Sequence, residues 1–271
     1  MTFTLGSVMG KLARHAVLAA ALTLVLVGCK SVPEDETAGW DAQKIYSEAK
    51  SLMNSGGYDQ AIKLFEKLEA RYPYGRYAQQ AQLDTAYAYY KLGEPDLAIL
   101  SADRFIKLHP NHSDVDYAYY LKGLANFSEN QGFLLNMFDL KDVTRRDPRA
   151  SLEAFDAFRE LVERFPQSKY VADARQRMQF LVNSLASHEI EVARYYYNRG
   201  AYVATVNRVQ SVVMQYPNAP SHEEALFLLV ASYDKLGLDT LRDDAERVLR
   251  QNFPNSKYFS KGTTEWWKRW D

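Results

Sequence analysis

One spacing constrains the fold of this chain more than any other feature. A proline preceded by an aromatic residue or histidine recurs five times, in Tyr72-Pro73, His109-Pro110, Phe165-Pro166, Tyr216-Pro217 and Phe253-Pro254. Seventeen residues before each proline lies a glycine (Gly56, Gly93, Gly200, Gly237) or, in the third unit, Arg149. Glycine supplies the left-handed turn after one helix, and proline ends the next helix because it lacks an N–H. The spacing therefore predicts five helix pairs.

The residues between these markers have the period of a helix. Apolar side chains recur at intervals of three and four in the second helices of the first three units (Ala61, Phe65, Leu68; Ala98, Ala102, Phe105; Ala154, Phe158, Leu161). No convincing alternating segment bounded by turns indicates a strand, so an all-α fold is predicted. The pattern resembles the tetratricopeptide repeat, which implies a superhelical solenoid whose first helices line the concave face.

Aromatic residues make up 13% of the chain. Many occupy positions where packing between helices favours bulk, and these are expected in the core: Tyr58, Phe65, Tyr89, Phe158, Tyr196, Tyr202 and Tyr233. Most of the aromatic surplus is thus assigned to repeat packing, not to a ligand site.

The repeats are interrupted twice. An insertion near residues 130–148 lengthens the third unit, and the absence of Pro and Gly from Tyr170 to Arg199 predicts a helix of about 30 residues. We expect this helix to join two lobes: an N-terminal lobe at 41–168 with units one to three, and a C-terminal lobe at 169–256 with units four and five. A Trp-rich tail at 257–271 follows, which is expected to pack back on the last helix pair, dock on a partner or lie in a lipid headgroup layer.

The N-terminus has the layout of a secretory signal peptide. Residues 1–28 contain Lys11 and Arg14, no acidic residue, and an apolar run from 16 to 27. The only cysteine follows in Leu26-Val27-Gly28-Cys29, which resembles the bacterial lipobox. That resemblance implies cleavage before Cys29 and attachment of diacylglycerol and an N-acyl chain such as palmitate to it.

The residues after the cleavage site point to a location. Residues 29–40 are polar and turn-rich, as expected of a lipidated N-terminus and tether. Because Lys30 replaces the Asp that implies inner-membrane retention, the lipobox resemblance places the protein in the outer membrane, facing the periplasm. Stable anchoring needs two membrane signals, and three acyl chains exceed that requirement.

Several functional classes are disfavoured. A net charge of −1 gives no electrostatic reason to expect nucleic-acid binding. No Walker A or GxGxxG motif occurs, and the lone cysteine is assigned to lipidation. His109, His112, Asp114 and Asp116 form the only cluster worth weighing as a metal site, but their spacing fits no zinc motif and favours a solvated loop. We therefore expect no enzyme activity, no metal and no cofactor beyond the covalent lipid.

Specific segments resemble the BamD family, lipoproteins of the outer-membrane β-barrel assembly machinery. The first is 71–84 with 87–91, which includes Arg71-Tyr-Pro-Tyr-Gly-Arg-Tyr77. The others are 103–110, Asp116-Tyr117, 122–124, 146–148 and 203–209. The tether and the last dozen residues do not match the family pattern.

This resemblance implies a non-enzymatic scaffold that binds the periplasmic POTRA domains of the barrel protein BamA and companion lipoproteins. The family's BamA contacts correspond to Tyr195, Asn207 and Arg208 in the C-terminal lobe. Recognition of unfolded outer-membrane β-barrel proteins is attached to the N-terminal repeats, at Tyr72, Tyr74, Gly75, Tyr77, Gln79, Gln80, Asp84 and Tyr87. The alternative is another tetratricopeptide adaptor lipoprotein, acting in cell-envelope or polysaccharide export.

Overall fold

The computed structural model of the protein describes residues 35–129 and 149–259, and within these ranges it contains ten helices and no strand. The helices are α1 (Ala42–Asn54), α2 (Tyr58–Arg71), α3 (Arg76–Leu92), α4 (Pro95–Leu108), α5 (Val115–Glu129), α6 (Arg149–Arg164), α7 (Val171–Asn198), α8 (Tyr202–Gln215), α9 (His222–Lys235) and α10 (Asp239–Asn252). The predicted all-α class is confirmed. The signal peptide, Cys29, the insertion at 130–148 and the tryptophans of the tail lie outside the described residues.

Four glycines turn the chain inside the helix pairs, as their spacing predicts. Their φ angles lie between 68° and 87°, at Gly56, Gly93, Gly200 and Gly237. This left-handed region is strained for residues with a Cβ atom, so glycine suits each turn. The third pair, whose first helix ends before the insertion, has no glycine at this position, and α6 begins at Arg149.

In four of the five pairs, the residue before the repeated proline ends the second helix. Its φ lies between −127° and −131°, and its N–H still donates to the carbonyl four residues earlier, at Tyr72, His109, Tyr216 and Phe253. Proline disfavours helical backbone in the residue that precedes it. The prolines thus set where α2, α4, α8 and α10 stop.

Consecutive helices from α1 to α10 pack against one another and belong to one compact unit. The predicted apolar positions of the second helices are fully buried, including Phe65, Phe105 and Phe158. The prediction of core tyrosines is only partly right: Tyr233 is buried, whereas Tyr58, Tyr89, Tyr196 and Tyr202 are half-buried. A half-buried tyrosine covers the core with part of its ring and leaves the rest of the side chain accessible to water.

The long helix predicted between 170 and 199 is observed as α7, with 28 residues, and it contributes to two hydrophobic cores. Ala174 and Leu181 pack with α3 to α6 in the N-terminal core. Ala186, Ile190 and Ala193 pack with α8 to α10 in the C-terminal core. At about 1.5 Å per residue the helix is about 42 Å long.

The described ends of the chain are ordered locally. In the separate unit that ends at Asp41, the N–H and hydroxyl of Thr37 donate to Asp35 Oδ1 at 3.1 and 2.8 Å. After α10, Tyr258 is buried and stacks on Phe227 with ring centroids 4.5 Å apart. The first described residues of the tail therefore pack on the C-terminal core.

Candidate functional site

The loop between α2 and α3 carries the most exposed large hydrophobic side chain of the described residues. Tyr72 ends α2 with its N–H on Leu68 O at 2.8 Å, and Pro73 directs the chain away from the helix. Gly75 precedes α3 with φ 119°, a conformation that L-residues rarely adopt. Between these two fixed points Tyr74 is 92% exposed. The loop presents an aromatic ring to solvent on a defined backbone.

Tyr77 begins an aromatic surface on α3. Its ring centroid lies 5.5 Å from that of Tyr46 on α1. The Arg76 guanidinium lies 4.9 Å from the Tyr77 ring centroid, and Nη2 donates to the Tyr77 hydroxyl at 3.1 Å. These contacts fix a half-buried ring beside the exposed Tyr74 loop.

Asp84 lies one step deeper, with 6% of its surface exposed. Oδ2 accepts a hydrogen bond from the Tyr46 hydroxyl at 2.8 Å, and Oδ1 accepts one from Lys50 Nζ at 3.0 Å. Burial, with the Asp84 charge as a second cause, raises the pKa of Tyr46. Asp84 therefore holds two side chains of α1 against α3. It acts in this surface as a positioning residue, since little of it faces solvent.

Tyr46 and Lys50 contact the predicted substrate residue Asp84, and they are not among the residues predicted from the sequence. They are four residues apart on α1 and thus lie on one helix face. Their contact with Asp84 spans 38 and 34 residues of sequence. An aromatic and a basic residue at this spacing on an otherwise apolar face is the signal that marks them.

The other predicted substrate residues lie on the same helix. Tyr87 is half-buried and meets Tyr58 edge-on, with ring centroids 6.5 Å apart. Gln79 and Gln80 are half-buried in the first turns of α3, and the Gln79 N–H donates to Gly75 O at 3.2 Å. The structure thus places the predicted set on one loop and one helix, with Asp84 inside and Tyr74 outside.

The residues predicted to contact BamA are exposed on α7 and α8. The Tyr195 ring is 56% exposed, and the Arg199 guanidinium lies 5.0 Å from its centroid. Arg208 Nη1 pairs with Glu189 Oε2 at 3.2 Å across the two helices. Asn207 is exposed beside it. All three side chains are therefore available to a partner.

Two exposed apolar side chains on α8 were not predicted as part of this surface. Val203 is 60% exposed and Met214 is 80% exposed. They are eleven residues apart, which is about three helical turns, so they share a face with Asn207. Val206, Val209 and Val212 of the same helix face the core. The apolar residues outside that buried stripe are the signal for the added surface.

The histidine cluster is engaged in local hydrogen bonds. His109 Nε2 lies 2.9 Å from Gln82 Oε1, and burial lowers its pKa, with nearby His112 as a second cause. The Asp114 N–H donates to His112 Nδ1 at 3.1 Å. In the part of the chain that the structure describes, no group of three or more His, Cys, Asp or Glu is arranged to hold a metal ion.

The chain is similar in sequence to known outer-membrane proteins. A family model described as "YfiO: Outer membrane lipoprotein" matches residues 39–249, which span both surfaces. The chain belongs to this family. The outer membrane protein assembly factor BamD of Neisseria meningitidis serogroup A is 46% identical over 266 residues, covering 95% of this chain and 99% of the relative.

More distant relatives carry the same description. The BamD proteins of Xylella fastidiosa Temecula1 and Vibrio cholerae are 38% and 34% identical, covering 89% and 88% of this chain and 82% and 99% of their own lengths. Among solved structures, the crystal structure of MamA covers 76% of this chain and 92% of its own, at 18% identity and a TM-score of 0.37. Homology to BamD indicates a role in outer-membrane protein assembly. Across 35–129 and 149–259, no helix is long and apolar enough to cross a membrane.

Proposed function

We propose that this protein is a non-enzymatic scaffold of the outer-membrane protein assembly complex, held in the outer membrane by lipid on Cys29. Its C-terminal lobe binds the POTRA domains of BamA and companion lipoproteins, and its N-terminal repeats recognise unfolded β-barrel proteins before their insertion. The observation that supports this most directly is the pair of separate exposed surfaces, Tyr74–Tyr77 and Tyr195 with Arg208, on a protein of the BamD family.

The docking part of the proposal depends on Arg208. Its side chain is 47% exposed and is oriented by Glu189, so its guanidinium is presented to solvent without being buried. A guanidinium forms directional, charge-assisted hydrogen bonds with a carboxylate. Tyr195 adds a large amphipathic ring, a side chain common at interface centres. An acidic residue of a POTRA domain is therefore the expected partner of Arg208.

The docking test replaces Arg208 by Glu in the full-length protein. We expect Arg208→Glu to abolish co-purification with BamA from detergent-solubilised outer membranes while helical circular dichroism stays unchanged. Arg247→Glu is the matched control, because Arg247 is a 69% exposed arginine with a helical acidic neighbour on α10. Retained binding by Arg208→Glu would contradict the assignment.

Substrate recognition depends on the loop that exposes Tyr74. A β-signal is an extended segment that alternates apolar residues and ends in an aromatic residue, and tyrosine rings suit such side chains. In the proposal, Tyr74 and Tyr77 take the terminal ring. Asp84 keeps Tyr46 beside them, and Gln79 and Gln80 are the side chains that meet the peptide backbone.

The substrate test measures binding of a fluorescent decapeptide with alternating apolar residues and a C-terminal Phe to the purified protein. Tyr74→Ala is expected to weaken binding at least fivefold, and Tyr74→Phe to retain most of it, because the ring is kept. Leu100→Ala is the control at another exposed apolar residue, 66% exposed on α4. Equal affinity of all four proteins would contradict the substrate role of the loop.

The anchor and the process have their own tests. Cys29→Ala is expected to prevent lipoprotein processing and to release the protein from the membrane fraction. When the protein is depleted, unfolded porin is expected to accumulate in the envelope. Its gel mobility should be the same with and without heating. Normal porin accompanied by a cell-wall or polysaccharide defect would instead support the adaptor alternative.

A further inference from the structure

Tyrosines continue along the first helices well beyond the residues assigned to substrate. The rings of Tyr117 and Tyr170 lie 5.3 Å apart, and those of Tyr120 and Tyr170 stack at 4.6 Å. All three are half-buried. We call the row formed with the earlier residues the tyrosine strip, which comprises Tyr46, Tyr77, Tyr87, Tyr117, Tyr120 and Tyr170. It crosses α1, α3 and α5 and reaches the start of α7.

The two ends of the tyrosine strip repeat one arrangement. Near its first end, the Tyr46 hydroxyl of α1 donates to Asp84 on α3, the first helix of the next pair. Lys50 pairs with the same carboxylate. Near its second end, the Tyr120 hydroxyl donates to Asp173 Oδ2 at 2.7 Å, and Arg177 Nε donates to the same oxygen at 2.5 Å.

At the second end, as at the first, a carboxylate is paired with both a basic side chain and a tyrosine hydroxyl. Burial, followed by the hydrogen bond to Asp173, raises the pKa of Tyr120 to about 12. Although burial alone opposes it, hydrogen bonds from Arg177 and Tyr120 hold the pKa of Asp173 below its ordinary value. Tyr120 therefore stays a neutral hydrogen-bond donor, and its ring is fixed on one side of Tyr170.

The middle of the strip is continuous. Tyr87 on α3 and Tyr117 on α5 pack against the same small core of Ala86, Ala102 and Leu121. Burial raises the pKa of Tyr117, and Tyr170, Tyr87 and Asp84 are near enough to raise it further. Tyr117 and Tyr170 are thus neighbours of the surface already assigned to substrate.

We propose that Tyr117, Tyr120 and Tyr170 form a second ring-binding position for unfolded β-barrel segments, and that one extended segment occupies both ends of the strip. The inference rests on the proposed function and extends it by a specificity rule. Neighbouring helices pack about 10 Å apart. The end of the strip between α1 and α3 and the end between α5 and α7 are two helix spacings apart, which is about 20 Å. An extended chain advances about 3.3 Å per residue. The segment preferred by the strip therefore carries two aromatic side chains about six residues apart, on the same face of the strand.

Charge pairing favours this occupant over a polyelectrolyte. Lys50 pairs with Asp84, and Arg177 pairs with Asp173, so the acidic groups at each end have a basic neighbour. The main contact surface that the strip presents to a ligand is therefore aromatic. A strand from a barrel presents alternate side chains to one face, and its lipid-facing girdles are aromatic.

The test uses two fluorescent twelve-residue peptides of equal composition and the full-length lipidated protein in detergent. One peptide has Phe at positions i and i+6, and the other has both Phe residues at i and i+2. We expect the i, i+6 peptide to bind at least fivefold more tightly. Tyr170→Ala is expected to remove that preference, whereas Tyr170→Phe keeps it, because only the ring is needed. Circular dichroism and thermal unfolding of both variants verify the fold.

The outcomes separate this inference from the proposed function. If Tyr74→Ala weakens both peptides but Tyr170→Ala changes neither, the second position is wrong and the loop assignment stands. Loss with Tyr170→Ala but not Tyr74→Ala supports the second position and contradicts the loop. Equal affinity of both peptides for the protein without substitutions overturns the spacing rule. A dimer that becomes a monomer with Tyr170→Ala in light scattering assigns the strip to a second copy of the chain and overturns the proposal.

Discussion

Each of the two proposed surfaces contains a central charged residue, Asp84 in the first and Arg208 in the second, and the fold uses them in opposite ways. The side chain of Asp84 is 8% exposed, and its charge is held inside by Lys50 and Tyr46. The side chain of Arg208 is 47% exposed, and its neighbour Glu189 lies on the adjacent helix at 3.2 Å. Asp84 positions the side chains around it, whereas Arg208 is itself exposed for contact with a partner.

This difference separates what each residue contributes to stability from what it contributes to binding. A buried charge that loses its partner or its hydrogen bonds destabilises the fold, because desolvated groups are left unpaired. An exposed ion pair contributes little to stability, since water screens it. Substitution of Asp84 is therefore expected to act through folding, and substitution of Arg208 through partners.

The largest effect is expected from Asp84→Ala. It leaves the Tyr46 hydroxyl and Lys50 without their carboxylate, and we expect a loss of about 2–4 kcal/mol in the free energy of unfolding. Urea unfolding followed by circular dichroism measures it. Asp103→Ala is the matched control, because Asp103 is a 49% exposed carboxylate that also accepts a hydrogen bond from a lysine, Lys122, at 2.8 Å. Equal losses in the two variants would remove the distinction between the two kinds of charge.

A second effect should separate packing in the N-terminal core from turn geometry in the C-terminal one. A Cβ atom added at Gly123 on α5 would lie 2.4 Å from the Phe158 ring, whereas one added at Gly237 meets open space but has φ 68°. We expect Gly123→Ala to cost about 2 kcal/mol through overpacking and Gly237→Ala about 1 kcal/mol through strain. Thermal unfolding of both variants gives the order. The reverse order would show that the ring of Phe158 moves aside at little cost.

The same comparison shows what sequence could and could not predict. Most of the helix ends follow from Gly and Pro, because turns and helix ends are set by local backbone preferences, but Arg149 stands where the third pair would have its glycine. The Tyr46–Asp84 contact spans 38 residues, so no local pattern reveals it. The prediction of core tyrosines is only partly right, because a hydrophobic period marks which face of a helix is covered but not how deeply each side chain is buried.

A smaller, pH-dependent effect is expected in the C-terminal core. His222 at the start of α9 is 9% exposed, its Nδ1 has no hydrogen-bond partner among the described residues, and burial lowers its pKa. The unfolded imidazole titrates near pH 6.5, so protons favour the unfolded state below that pH. The stability of α9 and α10 should therefore fall by on the order of 1 kcal/mol between pH 7 and pH 5.

Hydrogen exchange resolved by peptide measures this effect in each region. His222→Phe should remove the pH dependence in α9 and α10 without changing that of α4, which ends next to His109, whose pKa burial also lowers. A pH dependence that persists in α9 after His222→Phe would assign it to other groups. The result would show whether the two cores respond to acid separately.

The smallest stability effect belongs to the Arg208–Glu189 pair, and it makes the comparison sharpest. We expect Arg208→Gln and Glu189→Gln each to change the free energy of unfolding by less than about 0.5 kcal/mol, because the pair is solvent-exposed. BamA co-purification should nevertheless fall strongly with Arg208→Gln, since the cation is lost. It should fall less with Glu189→Gln, since the cation remains and only its orientation is relaxed. Equal loss of BamA in both variants would mean that the partner reads the ion pair as a unit, not the guanidinium alone.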